Sequence, residues 1–178
     1  IYKDKLFFRA SDATNGTELW QSDGTTAGTV LVKDIMPGAS SSNPFSLVTF
    51  KDDLYFIASQ QLWRTDGTTQ GTQLLKSTLF SDYRITKGDS SLYLNAYEFA
   101  PAPSLQHKSY ELYRSDGTVS GTVRLTDIDA GIRSSSPQLV SAHNGRVYFS
   151  AYRVDVGREL WSMRPECPQY YFFSNPGE

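Results

Sequence analysis

The chain has one cysteine, Cys167, in 178 residues, which excludes an internal disulfide framework. Cys167 lies between Pro165 and Pro168 and reads either as a partly buried free thiol or as the donor of an intermolecular bridge. Histidine is nearly as scarce, with only His107 and His143. Basic and acidic residues balance at 17 against 19 with no basic run, so the electrostatic footprint of a nucleic-acid binder is missing. No apolar stretch exceeds strand length, which excludes a membrane-spanning helix. No window keeps a helical period, and Pro and Gly interrupt too often for long helices. Position 1 is not Met, no signal-peptide pattern is present, and the chain opens within a repeat, so a processed, truncated or partial sequence is expected.

Aromatic residues are plentiful (11 Tyr, 10 Phe, 3 Trp), and a chain of this length can bury roughly 70% of its unfolded surface without staples. One phrase is written three times: Glu18 to Thr29 (ELWQSDGTTAGT), Gln61 to Thr72 (QLWRTDGTTQGT) and Glu111 to Thr122 (ELYRSDGTVSGT). A fourth copy begins at Glu159-Leu160-Trp161 and breaks off. Self-similarity at roughly 40–50 residues marks propellers and stacked arrays.

Four segment types recur. Strand a is Leu6–Ala10, Leu54–Ala58, Leu92–Ala96 and Val147–Ala151, each alternating and aromatic as strands are. Strand b is the Leu-aromatic segment. Strand c is Val30–Ile35, Gln73–Lys76 and Val123–Ile128, and strand d is Phe45–Phe50, Tyr83–Thr86 and Gln138–Ser141. Tight polar turns join d to a, and the D-G-T loop joins b to c, both at hairpin length. Adjacent Leu and Trp in strand b point to opposite faces, so both faces of the sheet are apolar. A d-a-b-c meander packed between two like sheets is a propeller blade. The expected architecture is a single all-β propeller domain over residues 1–178. Its blades fall near 5–36, 44–78, 82–129 and 137–178. The first lacks strand d, and Gln169–Ser174 stands in for strand c of the last. Four blades in one small ring are the simplest closure; the alternatives are part of a larger propeller or a half-ring that dimerises.

These phrases resemble the bacterial E-L-W-x-x-D-G-T repeat family, which pairs them with G-T-x-L-V-K-D-I and a following S-S-x-P. The match runs over Glu18 to Ile35 with Ser41 to Pro44, and over Glu111 to Ile128 with Ser134 to Pro137. It covers most of residues 5–162. The chain departs from it at Gln60-Gln61, at the shortened link Ser77 to Asp82, and from Pro165 onward. The resemblance implies propeller-like repeats in secreted or surface-attached proteins, hence an extracellular setting, and implies no reaction.

Candidate sites divide into repeated and unrepeated residues. Asp23, Asp66 and Asp116 precede Gly-Thr in hairpin loops and read as turn-holders accepting bonds from amides two or three residues on. The functional alternative is a cation loop for calcium, supported by only one carboxylate per loop. Glu18, Glu111 and Glu159 recur by symmetry, so they read as ligands of loop amides or of Arg64, Arg114 and Arg158 rather than as a glycosidase pair. No nucleophile-elbow pattern accompanies the histidines, and no phosphate-binding glycine loop is present. No catalytic residue, cofactor or metal site is therefore assigned.

The unrepeated a-to-b loops differ in length and emerge on one rim, where function concentrates. They supply Tyr97, Tyr110, Tyr152, Arg153, Asp155 and Arg158 as candidate ligand-binding residues, and Asn15 as a possible glycosylation site. The leading expectation is a non-enzymatic, lectin-like module binding glycan through aromatic faces and polar side chains. The competing one is a structural or adhesive repeat binding surface proteins or another copy, through Cys167 or open blade edges. An enzyme ranks last.

Overall fold

The computed structural model describes residues 1–77, 79, 80, 84–99, 108–128 and 134–172. The fold is all-β, built of four antiparallel propeller blades. Among the described residues there is no helix long and apolar enough to cross a membrane. The chain divides into two compact units, Ile1–Ser77 and Thr78–Glu178, each holding two consecutive blades.

In the first unit, blade one is β1 (Leu6–Asp12), β2 (Gly16–Ser22) and β3 (Val30–Lys33), three strands with no outer strand d, as the sequence implies. Blade two is the complete meander β4 (Phe45–Phe50), β5 (Asp53–Ala58), β6 (Gln61–Thr65) and β7 (Gln73–Lys76). The register pairs Phe8 with Trp20 and Phe56 with Trp63, so strand a and strand b stack aromatic on aromatic across the sheet. The adjacent Leu19 and Leu62 point to the other face and are fully buried.

The second unit repeats the plan with one change. Strand d of blade three, expected at Tyr83–Thr86, is instead two short pieces, β8 (Leu79–Phe80) and β9 (Thr86–Lys87). Both pair with β10 (Leu92–Phe99), β8 at Ala96 and Tyr97 and β9 at Leu92 and Tyr93. The two registers are offset by three residues, so β8 and β9 do not form one continuous ladder on β10. Tyr83 itself lies outside the described residues. β11 (Lys108–Ser115) and β12 (Val123–Arg124) complete the blade. Blade four is β13 (Gln138–His143), β14 (Arg146–Arg153), β15 (Gly157–Arg164) and β16 (Cys167–Phe172). β16 is the expected substitute for strand c, begun two residues earlier; residues 173 and 174 fall outside the described set. Strand c of blades one and three ends before Ile35 and Ile128: the Ile35 and Met36 amides go to the buried Glu18 carboxylate, and the Leu125 and Thr126 amides both go to the Leu112 carbonyl.

Consecutive blades pack by the same rule in both units. In the first, Leu19 of blade one meets Phe56 and Ala58 of blade two, with Phe7, Leu47 and Trp63 around them. In the second, Leu112 of blade three meets Val147, Phe149, Ala151 and Trp161 of blade four. The strand-b leucine of one blade thus seats against the strand-a face of the next.

Deleting residues 169–178 removes most of β16 and leaves β15 an unpaired edge beside Trp161 and Met163. Open edges of this kind template association. The truncated chain is expected to aggregate or oligomerise by light scattering; a folded monomer would show that β16 is dispensable.

Candidate functional site

The D-G-T hairpins are occupied by their own bonds. In blade two, Asp66 Oδ1 accepts the Thr68 amide at 2.8 Å and the Thr68 hydroxyl at 2.7 Å. Thr68 Oγ1 accepts the Gly71 amide at 2.9 Å, and Thr72 Oγ1 donates to the Thr68 carbonyl at 2.6 Å. Asp23 and Asp116 make the same pair of bonds to Thr25 and Thr118. The threonine hydroxyls hold the Asp23 and Asp66 carboxyls below their ordinary range, with the amides adding to the effect. Gly24, Gly67 and Gly117 take φ of 91°, 96° and 95°, the left-handed conformation that the turn requires. The loop of blade two also contacts its neighbour: Thr69 donates to the Val32 carbonyl at 2.8 Å, and Lys33 Nζ donates to the Thr72 carbonyl at 3.0 Å.

The repeated glutamates hold one blade to the next. Glu18 is fully buried and accepts four bonds: the Ile35 and Met36 amides at 3.3 Å, the Ser42 amide at 3.0 Å and the Ser42 hydroxyl at 2.5 Å. Ser42 in turn accepts the Ser59 amide of blade two on its carbonyl at 2.7 Å. Glu111 accepts the Thr126 hydroxyl at 2.7 Å and the Ser135 amide at 3.3 Å, and the Ser135 carbonyl accepts the Tyr152 amide of blade four at 2.8 Å. Burial pushes the Glu111 carboxyl up, against the opposing pull of these bonds. The partners are amides and hydroxyls; the arginines considered from the sequence are elsewhere, Arg64 facing Asp53 at 3.5 Å and Arg158 on Ser136. Glu159 is half-buried and makes no such contact among the described residues.

The six rim candidates all belong to the second unit, and three of them, Tyr110, Tyr152 and Arg158, bond to one short segment, 134–136. Tyr97 and Tyr110 are cross-strand partners with ring centroids 5.0 Å apart, and Tyr97 is only 8% exposed. The Tyr110 amide donates to Ser134 Oγ at 3.2 Å. On the other side Arg158 Nη1 donates to the Ser136 carbonyl at 3.2 Å and Ser150 Oγ at 3.3 Å. Arg153 and Asp155 neutralise each other at 2.5 Å, a bond that holds the Asp155 carboxyl low. Tyr152 pairs with Arg158 across β14 and β15 and is 42% exposed. Residues 100–107 of the blade-three loop, including His107, lie outside the described residues. Asn15 is half-buried and donates from Nδ2 to Asp12 Oδ2 at 2.8 Å, inside its own turn.

Sequence reasoning missed a more exposed feature. Tyr152, Arg158 and Leu160 lie on one face of blade four, and Leu160 is 42% exposed where Leu19, Leu62 and Leu112 are 0%. On blade one the reverse face is open: Leu6 is 54% exposed, against 4% for Leu54 and 0% for Leu92 and Val147 at the equivalent positions. The local sequence carries no signal for this, since all four copies read alike. A separate cavity of about 180 Å³ in the first unit is lined by Ile1, Tyr2, Phe7, Leu47, Thr49 and Leu54 and contains no charged side chain.

No protein-family model matches the chain. No curated protein matches it either. Among solved structures, one from a study of two prolyl endopeptidases is similar over 96% of this chain, at 12% identity and a TM-score of 0.59. The chain spans 24% of that structure's length. An alpha-L-arabinofuranosidase from Clostridium thermocellum is similar over 91% of this chain and 66% of its own, at 13% identity and a TM-score of 0.38. At these identities the likeness to the endopeptidase concerns the fold alone.

Proposed function

We propose that the chain is a non-enzymatic extracellular binding module, a structural or adhesive repeat whose partners are proteins that cover its open blade faces. The observation that carries this reading is Leu160, exposed where its three counterparts are buried, on a face shared with Tyr152 and Arg158. Aromatic residues and arginine around an apolar centre are the composition of protein contact sites. The non-enzymatic part is supported by Glu18 and Glu111, whose oxygens are committed to amides and hydroxyls. Leu160→Asp and Leu6→Asp are expected to lower binding of an apolar fluorescent dye and raise solubility with little change in melting temperature. Absence of dye binding by the unmodified chain would overturn the reading.

A lectin-like role is the second reading, favoured by the exposed Tyr152 ring beside the anchored Arg158 guanidinium. It has less surface available than the sequence implied, because Tyr97 is buried and Arg153 is paired with Asp155. A glycan array with and without calcium separates the two. Selective binding that Tyr152→Ala weakens at least about tenfold, with folding unchanged, would favour the glycan.

A further inference from the structure

We infer that two copies of this chain associate head to tail, the Leu160 face of blade four in one copy seating on the Leu6–Phe8–Ala10 face of blade one in the other. The inference rests on the protein-contact reading and names its partner.

The packing rule seen within each unit supplies the argument. A strand-b leucine of one blade seats against the strand-a face of the next: Leu19 on Phe56 and Ala58, Leu112 on Val147, Phe149 and Ala151. Blade four presents the leucine of this pair, Leu160, uncovered. Blade one presents the matching strand-a face, with Leu6 exposed and Phe8 and Ala10 only half-buried, whereas Phe56, Ala58, Phe149 and Ala151 are at 0%. Leu6, Phe8 and Ala10 alternate along β1 and so share one side. The chain therefore carries both halves of a contact it makes elsewhere.

Charge agrees with this orientation. Arg158 lies at the a-to-b end of the blade-four face, and no carboxylate lies within ion-pair distance of it among the described residues. Asp12 lies at the same end of the blade-one face, its carboxyl held below its ordinary range by Asn15. With the a-to-b rims aligned, as in the contacts within each unit, opposite charges meet at the edge of an apolar centre.

Because the two surfaces differ, the contact is heterologous. It either closes into a ring or extends.

Sedimentation of the unmodified chain over a range of concentrations is expected to show reversible association, and Leu160→Asp or Leu6→Asp should each raise the dissociation constant at least about 30-fold. Both positions are exposed, so neither change should impair folding, which circular dichroism checks. The deciding step is to mix the two variants. Each retains the face the other has lost, so the mixture should form a 1:1 dimer and nothing larger. A chain that stays monomeric at every concentration overturns the inference, as does a mixture that forms no dimer. The apolar dye separates this failure from that of the underlying reading. A monomer whose dye binding is abolished by Leu160→Asp keeps a protein-contact face for a different partner; a monomer that binds no dye loses both.

Discussion

Glu18→Ala is expected to destabilise the chain by about 3–5 kcal/mol, comparable to breaking a buried charged contact. The substitution leaves the Ile35, Met36 and Ser42 amides and the Ser42 hydroxyl without their acceptor, inside a region where Glu18 is fully buried. Each unsatisfied buried donor costs on the order of 1–3 kcal/mol, and partial relaxation of the link toward water keeps the total below the sum. At roughly 2–4 °C per kcal/mol for a chain of this size, the melting temperature should fall by about 10 °C. The Ser42 to Ser59 bond that fastens blade two to blade one should loosen as well, visible as faster amide exchange at Ser59. An unchanged melting temperature would show that the link finds water at no cost.

The equivalent residue Glu111 adds a pH signature. Burial raises its carboxyl above the ordinary value, so the folded chain holds that proton more tightly than the unfolded chain does. The resulting stability is fully present below the unfolded value and is lost as pH rises through the folded one. Asp66 runs the other way: its carboxyl is held low by Thr68, so its contribution is present above the unfolded value and lost as pH falls through the folded one. Urea unfolding between about pH 3 and 7 should therefore show opposite changes in slope for Glu111→Gln and Asp66→Asn. Slopes of the same sign would refute the assignment of these two environments.

The four blades were legible because each strand states its own period and each turn its own length. Blade two was readable almost residue by residue: β4 and β7 have the bounds that the alternating runs Phe45–Phe50 and Gln73–Lys76 imply. Blade three was not, since Leu79-Phe80 and Thr86-Lys87 are too short to declare a strand and acquire one only by pairing with β10. The job of the glutamate was half-visible. Glu18 and Glu111 each precede a Ser-Ser-x-Pro link, while Gln61 precedes a shortened link without it, and that co-occurrence is the contact between Glu and the second Ser. The exposure of Leu160 and Leu6 was invisible for a physical reason. Burial of a blade face is decided by the neighbouring blade, and the neighbour is written nowhere in the local phrase.

Gly71→Ala is expected to cost about 2–3 kcal/mol, although this glycine is not at a positive φ and alanine fits its backbone. The obstacle is the Asp66 carboxylate. A Cβ at Gly71 would stand 2.0 Å from Oδ1 and 2.2 Å from Cγ of Asp66, and Gly28 and Gly121 meet Asp23 and Asp116 in the same way. The added methyl must push the carboxylate off Thr68, releasing the bonds at 2.8 and 2.7 Å that hold the turn. Asp66→Ala alone removes the same bonds and should cost about 1 kcal/mol, the worth of a side-chain cap. The two effects share one cause, so they should not add. On an Asp66→Ala background the clash is gone, and Gly71→Ala should be neutral within about 0.5 kcal/mol, or stabilising through reduced freedom of the unfolded chain. Chemical denaturation of the four members of this cycle measures the coupling directly. Additive costs would mean that the second glycine of D-G-T-x-x-G-T is needed for its own backbone and that the carboxylate can move aside freely.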